Sequence, residues 1–441
     1  MPDAHTRVSS RRLAFSAAAN WLSFAVTLGV GFFLTPFLLN RLGTGPYGVW
    51  AFVEATLAYF TLFDLGIASS ALYFVAKYQR TDSAQLQRLL STSLAAFLGL
   101  GLSASALGVA VLPLLVPADD PEIVWFSLLM LANFAVVLPL TLFPAILEGL
   151  QQFGRKSFVR ILVTAVRTVA IVLLLQERPS LWNLGLVVTV SNLVEHFAYL
   201  VLAVRGLPEV RWSWRLVERS AFRRVWGYSL DSFLALVAGR VTVQAGIILV
   251  GLLFGAAPVA YFALAVRLVE FAKALLRSAT NTLTPAISTL EASGKHAEIR
   301  RLFLRGTRFV LYLILPVQIG LVVFGQPFLV TWLQSPEYAA ECYPLLVVLS
   351  STLSLLLAQS IAARVLYGTG RVKWLARFAL CEAVFNVTLS LIFAQFWGVF
   401  GLALGTAVPN VFFAVSVLLY TGRVLNISLR EYVWEGISKP L

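Results

Sequence analysis

Four charged residues, Arg267, Glu270, Lys273 and Arg277, follow one another at spacings of three, three and four inside an otherwise apolar run, 258–290. At about 100° per residue they occupy an arc of roughly 120° on one helix face. A face with three cations and one anion does not look at lipid; it looks into a water-filled cavity or at partner charges. A cationic lining suits an anionic ligand, and arginine in particular suits phosphate. The alternative is internal pairing, in which Glu270 neutralises Arg267 or Lys273 and Arg277 snorkels to the aqueous surface. Arg240, central in the run 226–254 and with no acid one turn away, is a further cavity cation.

The acids pose the complementary question. Glu54 and Asp64 share the run 47–76, about 15 Å apart along a helix and offset by about 80° around it. They suit proton or cation coupling, or a salt bridge that gates one conformation. Arg167, central in 157–175, either pairs with Glu195 of 181–204 or faces the cavity. Glu382 in 374–395 is a pairing partner or a proton site. His196 adjoins Glu195 but points about 100° away, which suits a satisfied histidine better than a metal ligand. No metal cluster, G-x-S-x-G or G-x-x-x-x-G-K-[ST] pattern is present, since Gly154-Arg155-Lys156-Ser157 lacks the spacing. Three histidines leave little for acid–base chemistry, and no loop is long enough for a membrane enzyme's active site. The expectation is a non-enzyme without cofactor.

These residues must be positioned by membrane helices. The 441-residue chain is 59% hydrophobic and 12% charged, against about 25% charged in an ordinary soluble domain. Twelve apolar runs are expected as spans: 13–39, 47–76, 88–116, 123–147, 157–175, 181–204, 226–254, 258–290, 307–333, 342–366, 374–395 and 399–421. Of the 34 Lys and Arg residues, 27 lie in the tails and alternate loops, 2 (Arg41 and Arg178) in the intervening loops and 5 inside spans. That split predicts a multi-pass protein of the cytoplasmic (inner) membrane with both termini in the cytoplasm. It also explains the net charge of +13 without nucleic acid. Arg7, Arg11 and Arg12 precede a first run too long for a signal peptide and without its cleavage pattern. The two cysteines, Cys342 in an expected external loop and Cys381 in a helix, predict no disulfide framework.

The chain also repeats itself. Leu42-Gly43-Thr44-Gly45-Pro46 is echoed by Phe254-Gly255-Ala256-Ala257-Pro258, a shift of 212, and Gln87-Arg88-Leu89-Leu90 faces Ile299-Arg300-Arg301-Leu302 at the same shift. Leu150-Gln151-Gln152-Phe153-Gly154-Arg155 faces Leu366-Tyr367-Gly368-Thr369-Gly370-Arg371 at a shift of 216. This predicts a parallel duplication: a six-helix bundle at 1–204, a basic linker at 205–224, and a second six-helix bundle with a short tail at 225–441. The linker's Arg211, Arg215, Arg219, Trp212 and Trp214 suit either an interfacial segment on anionic membrane lipids or ordinary positive-inside bias. Gly251-x-x-x-Gly255 and Gly401-x-x-x-Gly405 allow close helix approach.

Asn20, Pro36, Leu42-Gly43 before Pro46-Tyr47-Gly48, and Asp64-Leu65-Gly66 resemble the N-terminal signature of polysaccharide flippases. Glu148-Gly149-Leu150-Gln151, Phe153-Gly154-Arg155 and Leu366–Arg371 extend the resemblance over nearly the whole chain. The family is the Wzx-like branch of the multidrug/oligosaccharidyl-lipid/polysaccharide exporter superfamily. The resemblance implies an all-α fold of two six-helix bundles around a central cavity. It implies translocation of an undecaprenyl-diphosphate-linked oligosaccharide (an O-antigen, capsule or exopolysaccharide repeat unit) and, as energy source, a proton or sodium gradient. A polysaccharide polymerase and a chain-length regulator are the implied partners. The relative that flips the peptidoglycan precursor has fourteen helices, so twelve spans argue against that subfamily. A cation/drug antiporter of the multidrug branch is the alternative, against which the cation surplus of 258–290 counts.

Overall fold

The computed structural model describes the backbone of residues 10–79, 81–115, 120–210, 212–280 and 283–438; side chains at 10–17, 113–115, 226–243, 275, 277–279, 285, 372 and 437 lie outside that description. All regular elements among the described residues are helices. The longer ones, in order, are α1 (Ser10–Leu42), α2 (Thr44–Phe60), α3 (Ile67–Tyr78), α4 (Ser83–Leu115), α5 (Pro121–Leu140), α6 (Leu142–Gly149), α7 (Phe153–Glu177) and α8 (Leu181–Gly206). There follow α9 (Arg219–Phe254), α10 (Ala256–Thr280), α11 (Leu283–Ala292), α12 (His296–Val323), α13 (Gly325–Leu333), α14 (Pro336–Ser350), α15 (Leu353–Gly368) and α16 (Val372–Val424). Gly398, at φ 56° and ψ −135°, breaks α16 into two arms. Helical structure therefore lies at each of the twelve apolar runs. Among the described residues eight helices are long and apolar enough to cross a membrane, nine if the bent pair 44–64 and 67–78 counts as one span.

The helices are apolar on the outside, as membrane spans must be. On α7, Phe158, Leu162, Val166, Val169 and Leu173 are between 52% and 68% exposed, while Val163, Thr164, Ile171 and Leu175 are buried. That outward stripe at spacings of three and four would be unstable in water and is matched to hydrocarbon.

The chain divides into two compact units. The first comprises 1–46 and 56–236; the second comprises 47–55 and 237–441. The division thus falls inside α9 rather than in the basic linker 205–224, and a short piece of α2 belongs with the second unit. In the first unit α1 packs on α7, α5 on α4 and α8, and α3 on α6. Its core joins Leu86, Leu90 and Phe97 of α4 to Phe134, Leu142, Ile146 and Tyr199. In the second unit α10 packs on α14, α12 on α15, and α15 on α16. There the Gly401-x-x-x-Gly405 spacing does what small residues permit. A methyl group at Gly401 would lie 2.1 Å from the Phe393 carbonyl oxygen, and one at Gly405 would lie 2.3 Å from Ser390 Cα. Cys342 is buried within α14 rather than in a loop, and Cys381 is exposed on α16; both are free thiols.

The duplication is visible in backbone geometry. Gly43 and Gly255 both adopt positive φ, 83° and 84°. Each donates its N–H to the carbonyl four residues back, Leu39 at 2.8 Å and Gly251 at 3.2 Å. This is the 212 shift. The later landmark slips. Leu150, Gln151 and Gln152 donate to Ile146, Glu148 and Leu147, while Thr369, Gly370 and Arg371 donate to Val365, Tyr367 and Leu366. The left-handed residues that end the two helices are Gln151 (φ 57°) and Gly370 (φ 73°), so the structural shift is 219 rather than 216.

Candidate functional site

In the second unit the turn at Gly255 starts α10 with Pro258 in its first turn, a position where proline's missing N–H costs nothing. Pro46 does the same for α2. The beginnings of these helices come together: a methyl group at Gly48 would lie 1.8 Å from the Ala256 carbonyl oxygen, and one at Gly251 2.3 Å from the Phe52 ring. This close approach brings Arg267 onto the 47–55 piece of α2. Its Nη2 donates to Glu54 Oε2 at 2.9 Å. Tyr47, two turns before Glu54 and so on the same face, is buried close enough to act on the guanidinium electrostatically. Glu54 and Arg267 stand at a shift of 213, so near-equivalent positions of the two repeats carry opposite charge and meet.

One to two turns along α10, Lys273 Nζ donates to Glu270 Oε1 at 3.0 Å. The same ammonium acts electrostatically on Glu382, a buried carboxyl on the first arm of α16. The expected cationic wall is thus, among the described side chains, a row of ion pairs. Partial burial explains this for Lys273, whose side chain is 15% exposed and whose charge is costly without a partner, whereas the Arg267–Glu54 pair is more open, at 29% and 51%. Arg240 and Arg277, the other expected cavity cations, have side chains outside the described residues.

The first-half acids serve different ends. Asp64 has a local partner: its Oδ1 accepts the Ala68 N–H at 3.0 Å. Leu65 (φ 49°) and Gly66 (φ 79°) turn the chain there, so Asp64-Leu65-Gly66 is a helix break with the aspartate capping α3. The expected Arg167–Glu195 pair is replaced by two others. Arg167 donates to Asn192 Oδ1 at 3.3 Å, and Glu195 takes Arg160 at 3.6 Å and the Tyr199 hydroxyl at 2.7 Å. In the antiparallel α7–α8 hairpin, Arg167 sits level with Asn192, which is one turn from Glu195. Arg160, two turns earlier on the same face of α7, reaches the carboxylate instead. His196 is satisfied by the Asn192 carbonyl at 2.9 Å.

Sequence reasoning missed Tyr199 and Arg160, for which the Glu195–Tyr199 spacing of four was the available signal. It missed the Lys156–Glu148 ion pair, which spans the Gln151 turn. It also missed two straps. In the first unit the linker lies along α4 and against α6: Trp212 packs on Phe143 of α6, Glu218 pairs with Arg88 of α4 at 3.3 Å, and the Glu218 N–H reaches Thr92 Oγ1 at 3.3 Å. In the second unit 429–438 lies along α12. Arg300 is paired with Glu431, Arg308 with the Glu435 carbonyl and carboxylate, and Phe303 stacks on Tyr432 at 5.4 Å. The signal was Ser428-Leu429-Arg430-Glu431, whose serine accepts the Glu431 N–H at 3.1 Å as in a capping box.

Comparison with known proteins places this arrangement. The family described as lipid II flippase MurJ matches residues 71–434. A probable lipid II flippase MurJ of Vibrio cholerae serotype O1 is 30% identical over 166 residues, 36% of this chain and 31% of the relative, so the match spans about a third of that curated protein. Among solved structures, an inward-facing multidrug resistance MATE family transporter of the MOP superfamily superposes with a TM-score of 0.77 at 15% identity, covering 92% of this chain and 94% of that one. A lipid II flippase MurJ in an inward closed conformation gives 0.72 at 13% identity, covering 96% and 90%. The fold is therefore that of the MOP superfamily. The family match also overturns the expectation, drawn from twelve spans, that the chain stands outside the peptidoglycan-precursor subfamily. A span count registers how many helices a chain adds, whereas the match at 71–434 lies within the two bundles themselves. By that match the chain belongs to the lipid II flippase MurJ family.

Proposed function

We propose that this protein moves a polyprenyl-diphosphate-linked glycan across the cytoplasmic membrane by alternating exposure of a site on α10. The observation that carries the reading is the Arg267–Glu54 pair at 2.9 Å, in a chain of this family. A carboxylate and a phosphate offer a guanidinium the same bidentate acceptor geometry. Glu54 then acts as a stand-in that the diphosphate displaces, and its return to Arg267 after release resets the site. Lys273, held between Glu270 and Glu382, is the second phosphate contact, and Glu382 is the coupling carboxyl for a proton or sodium ion. Arg240 and Arg277 remain further candidates by their place on α9 and α10. Both termini are assigned to the cytoplasm from the 27-to-2 distribution of Lys and Arg.

The family points to the peptidoglycan precursor as the glycan carried. An O-antigen, capsule or exopolysaccharide repeat unit, with a polymerase and a chain-length regulator as partners, is the second substrate reading, supported by the Asp64-Leu65-Gly66 and Leu366–Arg371 signatures. Complementation separates them. Expression in cells depleted of their lipid II flippase restores growth under the first reading. Restoration only of surface polysaccharide in cells lacking an oligosaccharide flippase supports the second. A protein that rescues neither, but lowers the accumulation of a cationic dye, would be a multidrug exporter and would end both.

A further inference from the structure

The four arginines of α12 are divided between two surroundings. Arg300 and Arg308 turn to the strap at 429–438 and are neutralised there. Arg301 and Arg305, one turn apart, turn to a cavity of about 590 Å³ bounded by α11, α12 and α15. Neither has an ion-pair partner among the described residues. Glu298 stands at the same rim, but its carboxylate is taken by Lys295 at 3.2 Å. Below the rim the wall turns apolar, with Leu302 and Phe309 of α12 and Ile361 of α15. The cavity therefore has a cationic mouth on an apolar body, at the level where α12 passes from its charged first turns into its apolar length.

We infer that this cavity holds one acidic glycerophospholipid of the surrounding bilayer, its phosphate bridged by Arg301 and Arg305 and one acyl chain lying over Leu302, Phe309 and Ile361. Two guanidiniums at an i, i+4 spacing reach one phosphate together. The apolar body argues against a soluble anion, which would gain nothing from displacing water there. The C-terminal strap does not compete, because its carboxylates are engaged by Arg300 and Arg308, and its tyrosine packs on Phe303, none of which lines the cavity. The equivalent place in the first unit differs: at the 212 shift Arg301 and Arg305 correspond to Leu89 and Ser93, which are buried and carry no charge. The lipid is thus specific to the second unit, where it fastens α11 and α15 to α12.

The full-length protein, purified in detergent, is offered phosphatidylglycerol, phosphatidylcholine, undecaprenyl diphosphate or inorganic phosphate, and retained molecules are read by native mass spectrometry. Phosphatidylglycerol is expected to be retained over phosphatidylcholine. Joint substitution Arg301→Gln and Arg305→Gln should weaken that retention by about tenfold or more, corresponding to about 1.4 kcal/mol. Leu302→Trp should do the same with both arginines in place, by filling the body, and this arm decides the matter if the double variant fails to fold. Arg300→Gln should leave retention unchanged. Equal retention of phosphatidylcholine, or unchanged binding in the double variant and in Leu302→Trp, overturns the inference. So does displacement by equimolar undecaprenyl diphosphate, which would assign the cavity to the carried lipid, or by inorganic phosphate, which would make it a soluble-anion site.

Discussion

The two straps occupy matching places in the repeat, yet they hold their helices by different means. On α4 the linker offers backbone groups to hydroxyls, Ser213 N–H to Ser91 at 3.5 Å and Glu218 N–H to Thr92 at 3.3 Å, and one half-exposed ion pair to Arg88. On α12 the strap offers two carboxylates and a buried tyrosine. The helices explain the difference. At this end α4 carries one arginine, whereas α12 carries Arg300, Arg301, Arg305 and Arg308. Unpaired, four cations on two turns repel one another and hold the helix end in water. The strap neutralises two, and the amphipathic cavity accounts for the others. The lesson is that the duplicated scaffold was kept while its charge was redistributed, and the second unit has more to neutralise.

Tyr432 is buried against Phe303, so Tyr432→Ala should remove about 3 kcal/mol from docking of 429–438. Amide hydrogen exchange in that segment and in the first turns of α12 should rise sharply, with no change on α4. Charge reversal by Glu431→Lys should have a smaller effect in the same direction, read as a lowered thermal midpoint that high salt partly restores. The linker is predicted to be less sensitive. Glu218→Gln removes a pair whose side chains are 52% and 41% exposed, a change of about 1 kcal/mol or less. If Glu218→Gln proves as damaging as Tyr432→Ala, the two straps are not held differently.

The smallest expected effect is with pH. The Arg300 hydrogen bond holds the Glu431 carboxyl below its ordinary value of 4.5. A carboxyl with a depressed value in the docked state contributes its full share above the undocked value, and loses it as pH falls through the docked value. Docking should therefore be flat from neutrality down to about pH 4.5 and weaken only below it. Hydrogen exchange across 429–438 as a function of pH checks this, and weakening that begins near pH 6 would mean another group controls the strap.

Sequence and structure agree most where backbone conformation forces a residue type. Gly43 and Gly255 need positive φ at a tight helix–helix turn, so the letters themselves mark the 212 shift. The later landmark misleads for the same reason: aligning Gly154 with Gly370 matches letters, but Gln151 occupies the left-handed position in the first unit, and the register moves by three. Charges were legible as residues that must be paired, and illegible as to partner. Glu195 has Arg160 and Arg167 within reach along α7, and the rise of the hairpin, invisible in one dimension, selects Arg160. Asp64 reads as a site because it is a lone acid in an apolar run, and the following Leu65-Gly66 adds a second signal, a helix break whose first free N–H groups need an acceptor. The Glu54–Arg267 contact joins positions 213 apart and required the fold.

The most direct test of the account is translocation itself. Purified protein in proteoliposomes is given a fluorescent polyprenyl-diphosphate glycan in one leaflet, and its appearance in the other is timed. Wild type should accelerate translocation, Arg267→Gln should lower the rate by about tenfold to a hundredfold, and Glu54→Gln should raise affinity for the diphosphate while slowing release. Translocation at the wild-type rate in Arg267→Gln, with the protein folded and inserted, would contradict the assignment of that arginine to the substrate phosphate.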